Sequence, residues 1–525
     1  MHTISYDELA DLLGRVHPWA LLDVRDAAEY EAGHIPGATA LPRREIEFRV
    51  RELVPAPGTS IVLCDGADGR ADLAARTLGR MGYGSVRSLA GGVAAWAAAG
   101  RALAMGVNVP SKAFGERLHV EEKVPEIDPR ELAARLARGD SLEILDVRTP
   151  EEHRRSCIPG ALNVPNGDLV LRGYDLERAG TTVVVHCAGR TRSIVGAATL
   201  QRLGVHAACA LRNGTMGWRL AGLLLEARPG RPTPRPSAAS LAAAERVARR
   251  LAVEEGVPSV SVDALLALRE VDSQQTLYLF DVRSAEEYAQ GHIPGARSVP
   301  GGQAVQAADD YVAVKNAAIV FGCDGFARGA MAAYWFRRMG FDGARVLDGG
   351  VHAWRQRGLP LETGLPSSVP AEVERARGTV SVVAPADLAG RLAAPQPPLV
   401  LDVGTSLQYE SRHVPGARWI SRGWLELKVG ACAGDRRSPL VTTCRTGEHS
   451  ILAAAALSEL GCTDVAALGG GLRAWSAAGL PVEIGMTAPL VERTDIALLG
   501  VIKGDREAMR RYLDWELTLA EGGPA

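Results

Sequence analysis

"VVVHCAGRTRSIVGAATLQRLG" (residues 183–204) begins as an apolar, β-branched run, passes through His186 and Cys187 into a short Gly/Arg-rich stretch, and goes on with helical spacing. Such a run reads as a buried strand, and the change of period after it marks a strand, a tight loop and a helix in succession. The alternation recurs along the chain, as in "TSIVLC" followed by "DLAARTLGRMG". It predicts an α/β fold, a mainly parallel sheet with helices on both faces.

The pattern is repeated four times. "LLDVRDAAEYEAGHIPGATALP" from Leu21, "ILDVRTPEEHRRSCIPGALNVP" from Ile144, "LFDVRSAEEYAQGHIPGARSVP" from Leu279 and "VLDVGTSLQYESRHVPGARWIS" from Val400 are versions of one segment. They recur at about 120 to 135 residues, a domain-sized spacing. A second landmark follows about forty residues on, a strand ending in cysteine: "IVLCDGADGR", "VVVHCAGRTRS", "IVFGCDGFARG" and "LVTTCRTGEHS". The third is "LAGGVAAW", "LRNGTMGW", "LDGGVHAW" and "LGGGLRAW". Three landmarks in one order predict four tandem domains, at residues 1–105, 106–228, 241–365 and 366–485. The prolines of "EARPGRPTPRPSAAS" (226–240) suit neither helix nor central strand, so residues 229–240 read as a stiff linker joining two pairs of domains. Residues 486–525 have helical spacing and read as an extension that packs on the fourth domain or mediates self-association.

Hydrophobic residues at 47% and a formal charge of −2 describe an ordinary globular protein, without a general basic surface for nucleic acid. No apolar run approaches the roughly 20 residues of a membrane-crossing helix. Asp7, Glu8 and Asp11 stand where a secretory signal would be basic and then apolar, so the chain reads as cytoplasmic, with neither nucleic acid nor membrane as partner. Eight cysteines without a C-x-x-C pair read as reduced thiols, and no metal site is expected.

A cysteine at the C-terminal end of a parallel strand, before a tight loop and a helix, lies where open α/β sheets place their ligands. Loop amides and the helix N-terminus can converge on its sulfur and favour thiolate over thiol. In "CAGRTRS", Gly189 permits the bend while Arg190 and Arg192 add positive charge, so the stretch reads as an anion cradle around a reactive sulfur.

The D-V-R motif, the H-I-P-G-A turn, the C-x-x-x-x-R/H loop and the G-G-x-x-x-W segment together resemble the rhodanese sulfurtransferase family over nearly the whole chain. The resemblance implies a sulfurtransferase whose loop cysteine takes sulfane sulfur from a donor such as thiosulfate or mercaptopyruvate. The persulfide then passes that sulfur to cyanide or a thiol, on a small molecule or a protein. No metal or organic cofactor is implied, because the sulfur rides on the cysteine. Residue by residue, the resemblance makes Cys187 the persulfide carrier, with Ala188, Gly189, Arg190, Thr191 and Arg192 as its cradle. Asp146 and Arg148 match positions that support the loop from behind.

Loop charge ranks the copies. The second carries two arginines and no acid, and so suits an anionic donor best. In the fourth, Cys444 is followed by Arg445, Thr446, Gly447, Glu448 and His449; the histidine stands where the family has arginine, Glu448 offsets Arg445, and Gly404 replaces the arginine of D-V-R. Cys444 therefore reads as a weaker carrier. In the third, Arg328 keeps the arginine position, but Asp324 cancels its charge and Phe326 makes the mouth apolar around Cys323. In the first, Asp65 and Asp68 flank Cys64 and the arginine falls one place later, at Arg70. Cys187 is thus the principal site, Cys444 and Cys323 are secondary, and Cys64 is the weakest.

Some residues read as inert. Cys157 takes a turn position held by His34, His292 and His413 in the other copies, and Cys209, Cys432 and Cys462 have no motif around them. His186 should point away from Cys187, as strand neighbours do. Trp96, Trp218, Trp354 and Trp475 read as core. Two rival functions are weighed against sulfur transfer. A cysteine phosphatase needs one more loop residue, a spacing met by Cys64 and Arg70, but Asp65 and Asp68 oppose a phosphate dianion there. A degenerate copy could instead serve as a binding scaffold or persulfide sensor.

Overall fold

The structure, a computed structural model, describes residues 2–270, 276–366, 369–431 and 435–521; Cys432 lies outside the described residues. The chain divides into two compact units, Met1–Arg15, Trp19–Val107 and Pro366–Leu499 in one, and Val16–Pro18, Asn108–Leu365 and Gly500–Ala525 in the other. The first copy therefore shares a unit with the fourth, and the second with the third. This differs from two sequential pairs on either side of a stiff linker: the Pro-rich stretch lies within one unit. After it, helix Ala238–Glu254 packs against helix Gly173–Ala179 of the second copy and helix Ala327–Arg338 of the third. The stretch itself is tied to the second copy, Thr233 Oγ1 donating to the Asn163 carbonyl at 2.7 Å and Ser237 N to Asp175 Oδ2 at 2.8 Å.

Each copy contributes five parallel strands to its sheet. In the second copy the order is Glu126–Ile127, Ala208–Leu211, Thr182–His186, Leu142–Asp146, Leu162–Asn163. In the fourth it is Ser381–Val383, Val465–Leu468, Leu440–Thr443, Leu399–Asp402, Arg418–Trp419. The long middle strands carry near-continuous runs of buried Val, Ile and Leu because helices cover both faces. Their ends fix the register at the site: Asp402 lies beside Thr443, Asp281 beside Gly322, Asp146 beside His186 and Asp23 beside Cys64.

The landmarks have physical causes. In the first landmark, Tyr30, Tyr288 and Tyr409 stack on His34, His292 and His413 at 3.7 Å between ring centroids. Each tyrosine hydroxyl also bonds the carbonyl of the turn's alanine, at 2.8, 2.7 and 2.7 Å. The second copy replaces this pair by His153 and Cys157; burial pushes the Cys157 thiol up to about 11, in keeping with an inert turn residue. In the third landmark, the second glycine lies against the backbone carbonyl of the strand-end residue. A Cβ on Gly471 would come 2.3 Å from the Cys444 carbonyl oxygen, and its φ of +60° disfavours any side chain. The tryptophans pack in the cores, as expected, each indole N–H bonding a carbonyl six residues on.

The extension divides between the units. Residues 488–490 run along Trp419 of the fourth copy, whereas helix Arg506–Thr518 packs on the second copy, with Met509 and Leu513 clustered around Met216. Packing on the fourth copy, one of the two readings of the sequence, therefore describes only its first residues. Among the described residues, no helix is long and apolar enough to cross a membrane.

Candidate active site

In the fourth copy, Cys444 sits at the strand end and Gly447 N–H donates to its Sγ at 3.1 Å. The Cys444 thiol lies 3.6 Å from Ser450 Oγ, whose hydroxyl donates to the Gly447 carbonyl at 2.8 Å. Gly447 takes a φ of +111°, which turns its amide onto the sulfur. Burial pushes the Cys444 thiol above its ordinary range, while these hydrogen bonds pull the other way. Burial thus works against the thiolate that the loop amides favour. Beside the loop lies a cavity of about 510 Å3 lined by Asp402, Gln408, Arg412, Arg445, Leu472 and Arg473, among others. Glu448 turns to Thr446 Oγ1 rather than to Arg445. Among the described residues no carboxylate accepts from the loop amides.

The second copy repeats the cysteine and serine: Cys187 Sγ is 3.5 Å from Ser193 Oγ, which donates to the Arg190 carbonyl at 2.7 Å. Its arginines are committed elsewhere. Arg190 forks Glu116 at 2.7 and 2.9 Å and reaches Glu126 at 3.2 Å, and Arg192 forks Glu152 at 2.8 and 2.9 Å. Both guanidinium groups are buried. The mouth is covered by the C-terminal helix: a side chain at Gly189 would meet Glu516 Oε2 at 3.2 Å and Tyr512 Cε1 at 3.7 Å. Tyr512 donates to Glu516 Oε1 at 2.8 Å, while the buried Oε2 has no hydrogen-bond partner.

In the third copy, burial and Asp324 push the Cys323 thiol up to about 12. Arg328 is shared by Glu287, Asp324 and Asp168. Glu245, from the helix after the Pro-rich stretch, accepts from both Phe326 N and Ala327 N at 3.0 Å. A protein carboxylate thus occupies the anion cradle. Glu245→Ala is expected to cost about 1–3 kcal/mol, because two buried amides lose their acceptor. The loss would be read as a lower urea midpoint with unchanged slope.

The first copy corrects the sequence reading. The residue whose carbonyl accepts from the third-landmark helix is Cys187, Cys323 or Cys444 in the other copies, and here it is Asp65, which accepts from Val93 N. Cys64 is one place earlier, in register with His186, with its side chain in the core cluster. Burial holds its thiol well above the ordinary range. The Asp65 carboxylate instead takes the amides of Ala67, Gly69 and Ala71 at 2.9, 3.2 and 3.0 Å. Counted from Asp65, Arg70 keeps the family spacing, and the longer phosphatase spacing disappears.

The model of the rhodanese-like domain matches residues 5–99, 128–221, 261–357 and 384–478. The chain belongs to the rhodanese family. A solved thiosulfate sulfurtransferase from Pseudomonas aeruginosa is 36% identical, with a TM-score of 0.89 over 99% of this chain and 97% of that one. A sulfurtransferase of Allochromatium vinosum is 33% identical over 107 residues, 20% of this chain and 99% of that protein. Human thiosulfate:glutathione sulfurtransferase is 33% identical over 114 residues, 19% of this chain and 96% of that protein.

As a sulfurtransferase of four rhodanese-like domains, the chain has one feature that loop charge alone hides. The capping-box glutamate after the D-V-R motif forks the loop arginine in three rhodanese copies: Glu29 with Arg70, Glu152 with Arg192 and Glu287 with Arg328. The fourth has Gln408 and His449 at these places. Burial and the nearby Arg422 and Arg44 hold His449 neutral, well below the ordinary histidine range, and its ring stacks on Phe48 at 4.3 Å. Asp146 and Arg148 bond each other at 2.7 Å, and Arg148 braces the turn at the Ser156 carbonyl. Asp146 also takes His153 Nδ1 at 2.9 Å. His186 lies 3.8 Å from Asp146, with its Nδ1 3.4 Å from the Cys187 carbonyl oxygen. Tyr512, Glu516 and Glu245 went unread in the sequence: they lie far along the chain from the loops they reach, and no local pattern points from them to one.

Proposed function

We propose that the protein takes sulfane sulfur from an anionic donor of the thiosulfate type onto Cys444 and passes it to cyanide or a thiol. The Cys444 thiolate attacks the outer sulfur of thiosulfate, and sulfite leaves with the electron pair of the broken S–S bond. Cyanide or a thiolate then attacks the outer sulfur of the persulfide, and the pair of that S–S bond returns to Cys444. Neither step calls for a metal or organic cofactor. The observation that carries this reading is the Gly447 N–H aimed at Cys444 Sγ at 3.1 Å, in a loop whose amides hold no carboxylate among the described residues. Because burial raises the Cys444 thiol, the donor step should quicken as pH rises and more thiolate forms.

Cys187 is a second carrier in this reading, behind its helical cover, and Cys323 a third. The first copy supports the alternative of a rhodanese-like scaffold, since Asp65 holds the sulfur's place. The name of the human relative favours a thiol acceptor. The described cysteines are all free thiols, which suits a reducing cytoplasm. The test is a brief exposure to thiosulfate followed by peptide mass mapping. One added sulfur on the Cys444 peptide, removed by cyanide, is expected. Persulfide confined to Cys187 would move the principal site, and none on any loop cysteine would overturn the reading.

A further inference from the structure

In three copies the aspartate of the D-V-R motif is held by the arginine two residues on: Asp23 by Arg25 at 2.7 Å, Asp146 by Arg148 at 2.7 Å and Asp281 by Arg283 at 2.6 Å. Gly404 removes that arginine from the fourth copy. Asp402 keeps the backbone bond, from Gly404 N to Oδ1 at 2.8 Å, and lines the cavity beside the Cys444 loop. A Cβ on Gly404 would stand 2.9 Å from Asp402 Oδ1, 3.1 Å from Gln408 Oε1 and 3.9 Å from Cys444 Cα. The space an arginine stem fills elsewhere therefore lies between a released carboxylate and the sulfur-bearing residue.

We propose that Asp402 is the base that takes the proton from a thiol acceptor bound in this cavity, an inference that rests on Cys444 being the persulfide carrier. The acceptor R–SH gives its proton to the Asp402 carboxylate, and the resulting thiolate attacks the outer sulfur of the Cys444 persulfide. The S–S bond breaks, its electron pair stays on Cys444, and the product leaves as a persulfide of the acceptor. Asp402 then releases the proton to solvent. Arg412, Arg445 and Arg473 give the cavity a cationic lining, which selects thiols that carry a carboxylate. The cyanide anion, formed in solution, brings no proton to the site and needs neither the base nor the space.

The charged and titratable groups around Asp402 are Arg44 of the first copy, Tyr409 and Arg412 of the following helix, Cys444 and Arg445 of the loop, and Arg473 beyond it. Burial dominates and pushes Asp402 up to about 7, offset in part by the Gly404 amide and Arg44. The basic form therefore gains population through neutral pH, where a base with a thiol substrate is useful.

The test compares glutathione with cyanide as acceptor for thiosulfate sulfur, in the whole protein and in Asp402→Asn. The ratio of kcat/KM for glutathione to that for cyanide should fall about a hundredfold. The pH limb near 7 should give way to the acceptor's own ionisation, at about 8.5. Gly404→Arg, which restores the fork of the other copies without a positive φ to oppose it, should lower the same ratio by tying Asp402 down again. An equal loss with both acceptors, or an unmoved pH limb, overturns the assignment of Asp402. Persulfide on Cys444 is followed by mass in parallel. Its formation with an unchanged ratio defeats Asp402 alone, and its absence in the unaltered protein defeats the parent reading as well.

Discussion

Cys444→Ser is expected to lower transfer of sulfur from thiosulfate to cyanide on the order of 10³-fold or more, while Cys187→Ser costs little and Cys64→Ser nothing. The serine keeps the shape of the site, including room for the Gly447 amide at 3.1 Å, so the loop should survive. What it removes is the atom that carries the sulfur; an alcohol neither attacks sulfane sulfur at neutral pH nor leaves from it. The contrast rests on what each cradle already holds. Asp65 occupies the amides of the first copy, Glu245 those of the third, and Glu516 stands over Gly189 in the second. Initial rates on the three single variants, with matched circular dichroism, decide the matter. A Cys444→Ser protein that keeps most of its activity would place the chemistry at another loop.

The repeat and its α/β character were legible because hydrophobic period and turn chemistry are local. Register was not read where a letter misled it. Aligning the four strand ends on cysteine put Cys64 at the nucleophile position. The interval to the second glycine of the third landmark is the same in all four copies only if it is counted from Asp65. The glycine is the better ruler, since it is fixed by its approach to the backbone carbonyl, 2.3 Å for an added Cβ at both Gly92 and Gly471. Loop charge misled in a second way. The arginines of "CAGRTRS" look available as sequence, but Arg192 is paired with Glu152, which is positioned by a capping box with Thr149 that the sequence does display. The joint change to Gln408 and His449 in the fourth copy was the available sign that this loop is built differently. The pairing of first with fourth and second with third copies left no local mark, because it depends on side-chain surfaces meeting across hundreds of residues.

Leu513→Asp is expected to raise the rate at which iodoacetamide modifies Cys187 by about tenfold or more, with Cys444 in the same sample as the reference. Leu513 is 3% exposed and packs with Met216 and Met509, so a carboxylate there must either be buried without a partner or pull the helix off. Burying it would cost several kcal/mol, and each ~1.4 kcal/mol is a tenfold shift toward the undocked state. Undocking takes Tyr512 and Glu516 away from Gly189. The Glu516 carboxyl, raised by burial, then returns to water and ionises normally, which favours the open form further as pH rises. The cover thus weakens as pH rises and Glu516 ionises, and in the unaltered protein Cys187 should gain reactivity over that rise. An unchanged Cys187 rate in a Leu513→Asp protein whose residues 500–521 have become protease-sensitive would mean that the helix covers the loop without controlling access to it.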